Sequence, residues 1–380
     1  ARLAVEGPIV KDKGSFLLSF RRSLAGPVLD HFTRKKYEQT AEKLTTSYFF
    51  SDINLKTNWV FNTRNRVYLS LYQGRDRLSD ERVSVYRDST FVGEWPAQEY
   101  FFQYMTETNF DLKNRFGSLR WNVLLSDNAF INTTFTASRF NLKSNSTTFF
   151  SSETYPELNG LSFAELSQSQ LQDISIKSDA DWFKNDQLTI RAGVQASWMQ
   201  VLPFYYSGDN NMRPEPWVEF DSLGNPIVGD VVVEEKGLSV SVYGEAEWMP
   251  RRDVRFRGGL RAEVYGSRGK TVFLPQPRLS VEKNWNNGLT ATFSTGLMAQ
   301  VLRMVSPNVL ETTADLWLLA NPAMPPQQTW QTSAGLAKTW PGWTARAEVY
   351  YKAMYNVEEY NAEWNTVKDT LVWQEPFVGY

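Results

Sequence analysis

The stretch Val254–Gly266 reads VRFRGGLRAEVYG and alternates with almost no exceptions. Val254, Phe256, Leu260, Ala262 and Val264 fall on one side, while Arg255, Arg257, Arg261, Glu263 and Tyr265 fall on the other. Successive side chains of a strand point to opposite faces, so this is a strand with one oily face and one charged face. What surrounds such a strand decides the fold, because three guanidinium groups do not belong in a dry core.

The pattern recurs along the chain. Phe16, Leu18 and Phe20 alternate with Leu17, Ser19 and Arg21, and Ile53, Leu55, Thr57 and Trp59 alternate with Asp52, Asn54, Lys56 and Asn58. The same holds for Leu119–Leu125, Leu188–Trp198, Leu238–Trp248 and Trp343–Lys352. Apolar residues at helical spacing are nearly absent, so the chain reads as all-β. Fourteen strand-like segments follow one another, the last ending near Asn361.

Composition narrows the class. The chain has 380 residues, a formal net charge of -2 and no cysteine. Near-neutral charge argues against nucleic-acid binding, and the lack of cysteine excludes disulfides and thiolate metal sites. The single histidine, His31, lies in a polar stretch, which argues against a histidine-based metal site or catalytic triad. No cofactor and no metal is expected. No run of 18 apolar residues occurs, so no membrane-spanning helix is expected. The remaining candidates are an aromatic-rich soluble β protein and a membrane β-barrel.

The connections favour the barrel. Short, turn-like links occur at Lys11–Gly14, Asn62–Asn65, Ser126–Asn128, Lys184–Gln187, Pro250–Asp253, Asn284–Gly288 and Trp340–Gly342, rich in the residues that tight hairpins need. Longer polar links are expected around Gly26–Ser47, Arg75–Asn114, Ser151–Ser167 and Gly208–Lys236. Short links at one end and long links at the other are the layout of an outer-membrane barrel. Trp59, Trp182, Trp248, Trp285, Trp340 and Trp343 all lie beside a short turn, as an aromatic girdle at the periplasmic membrane boundary would.

Energetics assign the faces. An Arg or Lys on the lipid side of a barrel costs roughly 2–4 kcal/mol at the bilayer midplane. Turning the opening strand over would expose Arg255, Arg257 and Arg261 to lipid, at a cost on the order of 6–12 kcal/mol before correction for depth. The apolar set therefore faces lipid. Arg191, Arg255, Arg257, Arg261 and Glu263 are expected to face the lumen.

The order and spacing of these segments resemble a known family. RLAVEGPIVKDKGSFLLSFRRS, YFFSDINLKTNWVFNTRNRVYLSLYQGRD, LPQPRLSVEKNW, ADLWLLANPAMPPQQTWQTSAGLAKTW and AEVYYKAMYNVEEYN are similar to the barrel of TonB-dependent outer-membrane transporters, most of all those of the Bacteroidota. The resemblance implies a 22-stranded barrel closed by an N-terminal plug. Residues 1–380 would then form part of one barrel domain, about strands two to fifteen, with the plug and the closing strands outside this chain. It also implies energy-coupled nutrient uptake, location in the bacterial outer membrane, and contacts with outer-membrane lipid, the protein's own plug and the TonB complex. A surface lipoprotein or a larger envelope assembly is a further partner to consider.

Nothing in the sequence calls for catalysis, and no catalytic residue is named. Candidate substrate contacts are the aromatics of the long links: Trp95, Tyr100, Phe101 and Tyr104 in one, Tyr205 and Tyr206 in another. Other readings remain open. A plug-less 14-strand porin, a barrel acting as a scaffold, a secreted all-β binding module and a β-rich glycoside hydrolase would each use the same strands. The hydrolase would draw its carboxylate pair from Glu245, Glu247 and Glu263.

Overall fold

The computed structural model describes residues 1–24, 26, 28–29, 31, 42–90, 98–152, 160–209, 219–220, 226–228, 231–232, 234–305, 315–360 and 377–379. Fourteen antiparallel strands form one continuous sheet, each paired to its neighbour in the sequence. They are β1 (Arg2–Val10), β2 (Gly14–Arg22), β3 (Glu42–Asn62), β4 (Asn65–Thr90), β5 (Gln98–Ser126), β6 (Ala129–Ser152) and β7 (Ser162–Asn185). The sheet continues through β8 (Leu188–Asp209), β9 (Glu235–Arg251), β10 (Val254–Ser267), β11 (Lys270–Asn284), β12 (Leu289–Gln300), β13 (Gln327–Trp340) and β14 (Trp343–Tyr355). The fourteenth strand stops at Tyr355, short of the expected Asn361. Glu358–Tyr360 instead pairs with Phe377–Gly379 in a separate two-stranded piece. β1 and β14 are the two edges of the sheet.

Register carries the alternation from strand to strand. Val240 stands opposite Ala196 on one side and Val264 on the other, and Val242 opposite Val194 and Ala262. One apolar face thus runs continuously across the sheet. It is open to the surroundings: Leu260 is 53% exposed and Val240 46%, and Leu3, Leu18, Ile53, Leu71, Leu119, Phe135, Ile176, Phe293, Leu336 and Val349 are exposed with them. A water-soluble sandwich would bury this row, whereas a membrane wall presents it to hydrocarbon.

All six tryptophans read as a girdle lie on this apolar face at the short-turn end. Trp340 and Trp343 stack with ring centroids 3.9 Å apart, and Trp248 stacks on Phe256 at 5.7 Å. Lys184, Lys283 and Lys338 sit over Trp182, Trp285 and Trp340 at 5.7–5.9 Å. Rings with ammonium groups on top suit a water–hydrocarbon boundary. Trp121, which sequence reading left out, joins the same end and donates from Nε1 to Asn65 Oδ1 at 3.1 Å.

The expected long links are corrected by the structure. Arg75–Asn114 is mostly strand: β4 runs on to Thr90 and β5 begins at Gln98. The links at Gly26–Ser47, Ser151–Ser167 and Gly208–Lys236 shrink in the same way, because β3 begins at Glu42, β6 and β7 extend to Ser152 and from Ser162, and β8 runs to Asp209. Strands β3 to β8 are 21–29 residues long, against the 9–11 that span a bilayer. Beyond the bilayer neither face touches hydrocarbon, so alternation lapses while backbone pairing continues. Thr106 and Thr148, and Thr108 and Ser146, hydrogen-bond across β5 and β6 at 3.1 Å in this region. The sorting of links by length has one exception. β10 and β11 meet through Arg268-Gly269, both at positive φ (47° and 75°), a two-residue hairpin at the otherwise long-loop end.

At the other end, Gly288 closes the turn from β11 to β12 at φ 81°. A Cβ there would stand 2.6 Å from the Thr339 carbonyl oxygen, and the Gly288 carbonyl itself accepts from the Thr339 N–H at 2.9 Å. Gly288→Ala is expected to cost roughly 1–3 kcal/mol. Gly269→Ala, with nothing within 4 Å, is expected to cost less. Urea midpoints of the two variants in detergent measure the difference, and equal midpoints would refute the close-approach account.

Candidate functional site

The face opposite the apolar band is polar and carries all the charged residues picked out from the opening strand. Near the short-turn end they form a continuous ladder across five strands. Arg191 on β8 bonds Asp181 on β7 at 3.2 Å and Glu245 on β9 at 3.3 Å. Arg257 on β10 reaches Glu245 at 3.7 Å and Glu247 at 2.6 Å, and Arg255 bridges Glu247 at 3.7 Å and Glu282 on β11 at 3.8 Å. The three arginine side chains remain 44–45% exposed. Half-exposed pairs of this kind add about 1 kcal/mol or less each. Their importance is positional: strand register fixes a row of guanidinium groups with donors left over.

Higher on the same face the charges are tied down. Arg261 lies over the Tyr243 ring at 5.7 Å and donates to Gln195 Oε1 at 3.4 Å. Glu263 is buried and accepts from Ser239 Oγ at 2.6 Å and Gln276 Nε2 at 3.1 Å. The carboxylates that a hydrolase would need are therefore committed: Glu245 and Glu247 to arginines, Glu263 to a closed hydrogen-bond set. Among the described residues no group of His, Cys, Asp and Glu could hold a metal ion.

Two residues beyond Glu263, at Tyr265, a segment of the chain lies against the inner face. The connection from β12 to β13 folds inward and forms a hairpin in which Leu302–Val305 pairs with Leu316–Leu319. Leu316, Leu318, Leu319 and Ala320 are buried. Leu319 and Ala320 pack in one cluster with Met199 and Val201 of β8, Tyr265 of β10, Leu274 of β11 and Val301. Polar anchors set its position. The Trp317 N–H donates to Ser169 Oγ at 3.1 Å, and Tyr265 Oη donates to the Ala320 carbonyl at 2.7 Å. Arg303 Nη2 donates to the carbonyls of Met324 and Pro325 at 3.1 and 3.0 Å. Asn321 donates to Glu235 at 3.4 Å and accepts from the Ala323 and Met324 N–H groups. Burial pushes the Glu235 carboxyl above its ordinary range, against the pull of its ion-pair partner Arg268.

Sequence reading missed this hairpin. ADLWLLANPAMPP was read as part of a wall match, and its signal was present but different in kind. LWLL is a run of apolar residues without alternation, as expected of a strand covered on both faces. Toward the turn end, on the inner face, the wall leaves a groove of about 310 Å³ lined by Glu245, Arg257, Arg278, Ser280, Ser294 and Gln331 among others. Its lining mixes these charged and hydroxyl groups with Leu279 and Met298, which suits a protein surface of mixed polarity.

The proposed substrate aromatics are placed in strands rather than loops. Tyr100, Phe101 and Tyr104 belong to β5, opposite Asp88, Arg87 and Ser84 of β4. Tyr205 and Tyr206 belong to β8, opposite Ser167 and Leu166 of β7. Of these side chains only Tyr104 is described, half-buried and edge-on to Phe150 at 5.4 Å. Trp95 lies outside the described residues.

Neither a protein-family model nor a curated protein sequence matches the chain. Solved structures do. A variant of the ferric enterobactin receptor PfeA from Pseudomonas aeruginosa aligns with a TM-score of 0.53 at 12% identity, over 94% of this chain and 51% of that one. The siderophore receptor PirA from Acinetobacter baumannii aligns with a TM-score of 0.55 at 14% identity, over 94% and 50%. The FrpB iron transporter from Neisseria meningitidis aligns with a TM-score of 0.50 at 13% identity, over 94% and 53%. The chain thus spans about half the length of these receptors and transporters. At such identities the likeness is one of fold, and with the open apolar band it makes this sheet the wall of an outer-membrane β-barrel.

Proposed function

We propose that the protein imports a scarce nutrient across the bacterial outer membrane as a TonB-dependent transporter. The TonB complex would act on a plug domain seated against the polar face of this wall. The Bacteroidota branch of the family is the one its sequence resembles. The carrying observation is the inner face itself. It is polar across five strands, holds half-exposed guanidinium groups, and encloses enough space for a folded hairpin of the protein's own chain. The ladder Asp181–Arg191–Glu245–Arg257–Glu247–Arg255–Glu282 and the adjoining groove are the surface offered to a plug. Tyr100, Phe101, Tyr104, Tyr205 and Tyr206, on strands that rise past the bilayer, and Trp95 are proposed as outer contacts for the nutrient. A surface lipoprotein or a larger envelope assembly would meet the same raised wall.

The plug-less porin reading is disfavoured by the sheet. A 14-strand pore needs β1 bonded to β14, because an open edge leaves backbone groups unpaired in hydrocarbon. Here β1 pairs with β2 alone and β14 with β13 alone among the described residues. Two measurements test the proposal. The full-length protein in a planar bilayer is expected to stay closed, since a plug blocks it. A strain lacking the gene and a strain lacking the TonB complex are expected to share one growth defect on the limiting nutrient, with the double deletion no worse. A steady open conductance of the full-length protein, or independent additive defects, would refute energy-coupled import.

A further inference from the structure

The outward face changes character where the apolar band ends on β4 to β7. Up to that level it carries Leu69 and Leu71, Gly117 and Leu119, Phe135 and Ala137, and Ile174 and Ile176, which stand opposite one another in register. The next three outward positions on each strand are Gln73, Arg75 and Arg77; Arg115, Lys113 and Asp111; Arg139, Asn141 and Lys143; and Gln172, Gln170 and Gln168. That is six cations (Arg75, Arg77, Lys113, Arg115, Arg139, Lys143) against one carboxylate, Asp111, a net charge of +5 on twelve adjacent positions.

Side-chain contacts place these groups on one surface. Arg75 holds Asp111 with two hydrogen bonds of 2.9 and 2.7 Å, Lys113 joins the same carboxylate at 3.2 Å, and Arg139 reaches Gln170 at 3.4 Å. Asp111 is thereby used up. Arg77, Lys113, Arg115, Arg139 and Lys143 are exposed.

The level of the patch identifies its partner. From Leu125 at the turn end of β5 to Gly117 is eight residue steps, about 21 Å of height at roughly 3.4 Å per residue and a tilt of about 40°. That nearly fills the apolar band of about 25 Å, so Arg115 and its neighbours meet the membrane where hydrocarbon gives way to headgroups. The short turns mark the opposite end as periplasmic, which makes this the outer leaflet. We propose that this patch is a binding site for the phosphorylated headgroup of an outer-leaflet glycolipid. The guanidinium forks grip phosphate oxygens, the half-buried Asn141 and Gln172 side chains face the sugar hydroxyls while Gln168 and Gln170 are buried, and the acyl chains lie on the continuous apolar row below. The site rests on the fold and not on the transport reading.

Native mass spectrometry of the full-length protein in a zwitterionic detergent tests it, with lipid A and its fully dephosphorylated form as probes. Wild type is expected to retain lipid A at least tenfold better than the dephosphorylated form. The triple variant Lys113→Gln, Arg115→Gln, Arg139→Gln is expected to lose that preference, while Arg346→Gln, on the inner face of β14, keeps it. Should the triple variant fail to fold, the pair Arg77→Gln, Lys143→Gln is read instead, with a loss of threefold or more expected. Equal retention of both lipids by wild type, or an unchanged preference in the folded variants, would overturn the proposal. So would displacement of lipid A by millimolar inorganic phosphate, which would mark the patch as a site for the free anion.

Discussion

Leu319→Ala is expected to loosen the inner hairpin by about one and a half to three and a half orders of magnitude while leaving the wall unchanged. Leu319 has no exposed surface and sits in the cluster formed by Met199, Val201, Tyr265, Leu274 and Val301. Truncating such a leucine removes its transfer free energy and leaves a cavity, together about 2–5 kcal/mol. The hairpin is a two-stranded piece with four residues per strand, too small to be stable by itself. Its stability comes from packing on β7, β8 and β9, so the loss falls on the local opening of the hairpin rather than on the sheet. Hydrogen exchange of the amides from Leu316 to Leu319 measures it, with an acceleration of roughly 30- to 4000-fold expected from the same 2–5 kcal/mol. Exchange in β8 and β10 serves as the internal reference. If the hairpin amides keep their protection, the hydrophobic cluster is not what holds the segment. If β8 and β10 accelerate equally, hairpin and wall open as one unit. Either result contradicts the local account.

The second large effect separates the two faces of one strand. Leu260→Arg places a guanidinium among the exposed apolar residues Val240, Val242, Val264 and Leu279, at a cost of about 2–4 kcal/mol if that face meets lipid near mid-bilayer. Its neighbour Arg261→Leu makes the reverse change on the inner face. It removes the contacts to Gln195 and Tyr243 and the 3.5 Å ion pair with Glu263, whose carboxylate keeps the hydrogen bonds from Ser239 and Gln276, and is expected to cost about 1–2 kcal/mol. Urea unfolding from lipid vesicles compares them. The order of the two losses is the essential result. A larger loss for Arg261→Leu would mean that the faces had been assigned the wrong way round.

Much of the wall was legible because its two solvents differ so sharply. Val254–Gly266 alternates since one face meets hydrocarbon and the other water, and the same holds for Leu238–Trp248 and Leu188–Trp198. The short turns were legible for a separate reason, since Asn, Asp and Gly supply the φ values that tight hairpins need. Legibility failed where the solvents became alike. From Arg75 to Val85 on β4, and along the facing part of β5, both faces meet polar surroundings, so paired strand looked like loop. The candidate contacts Tyr100, Phe101, Tyr104, Tyr205 and Tyr206 were assigned to loops for this reason, and they belong to strands.

The charged row of the inner face was partly legible. Alternation alone put Arg191, Arg255, Arg257, Arg261 and Glu263 on one side. It could not distinguish the half-exposed Arg255 and Arg257 from the buried Glu263, because that difference depends on which residues the neighbouring strands bring beside each, Ser239 and Gln276 in the case of Glu263. The basic patch on β4 to β7 was hidden likewise. Arg75, Lys113 and Arg139 lie on three different strands and become one surface only through strand register.

By itself, then, the order of residues determined the class of fold, the number of wall strands and which side of each strand meets lipid. These follow from local alternation and from the cost of a cation in hydrocarbon, both of which act residue by residue. Only the tertiary structure decided that the segment around Leu316–Leu319 lies inside the wall, that the strands outrun the membrane, and that six cations gather at its outer edge. Those features depend on pairing between residues tens of positions apart, and no local pattern encodes which partner a polar or uniformly apolar segment will meet.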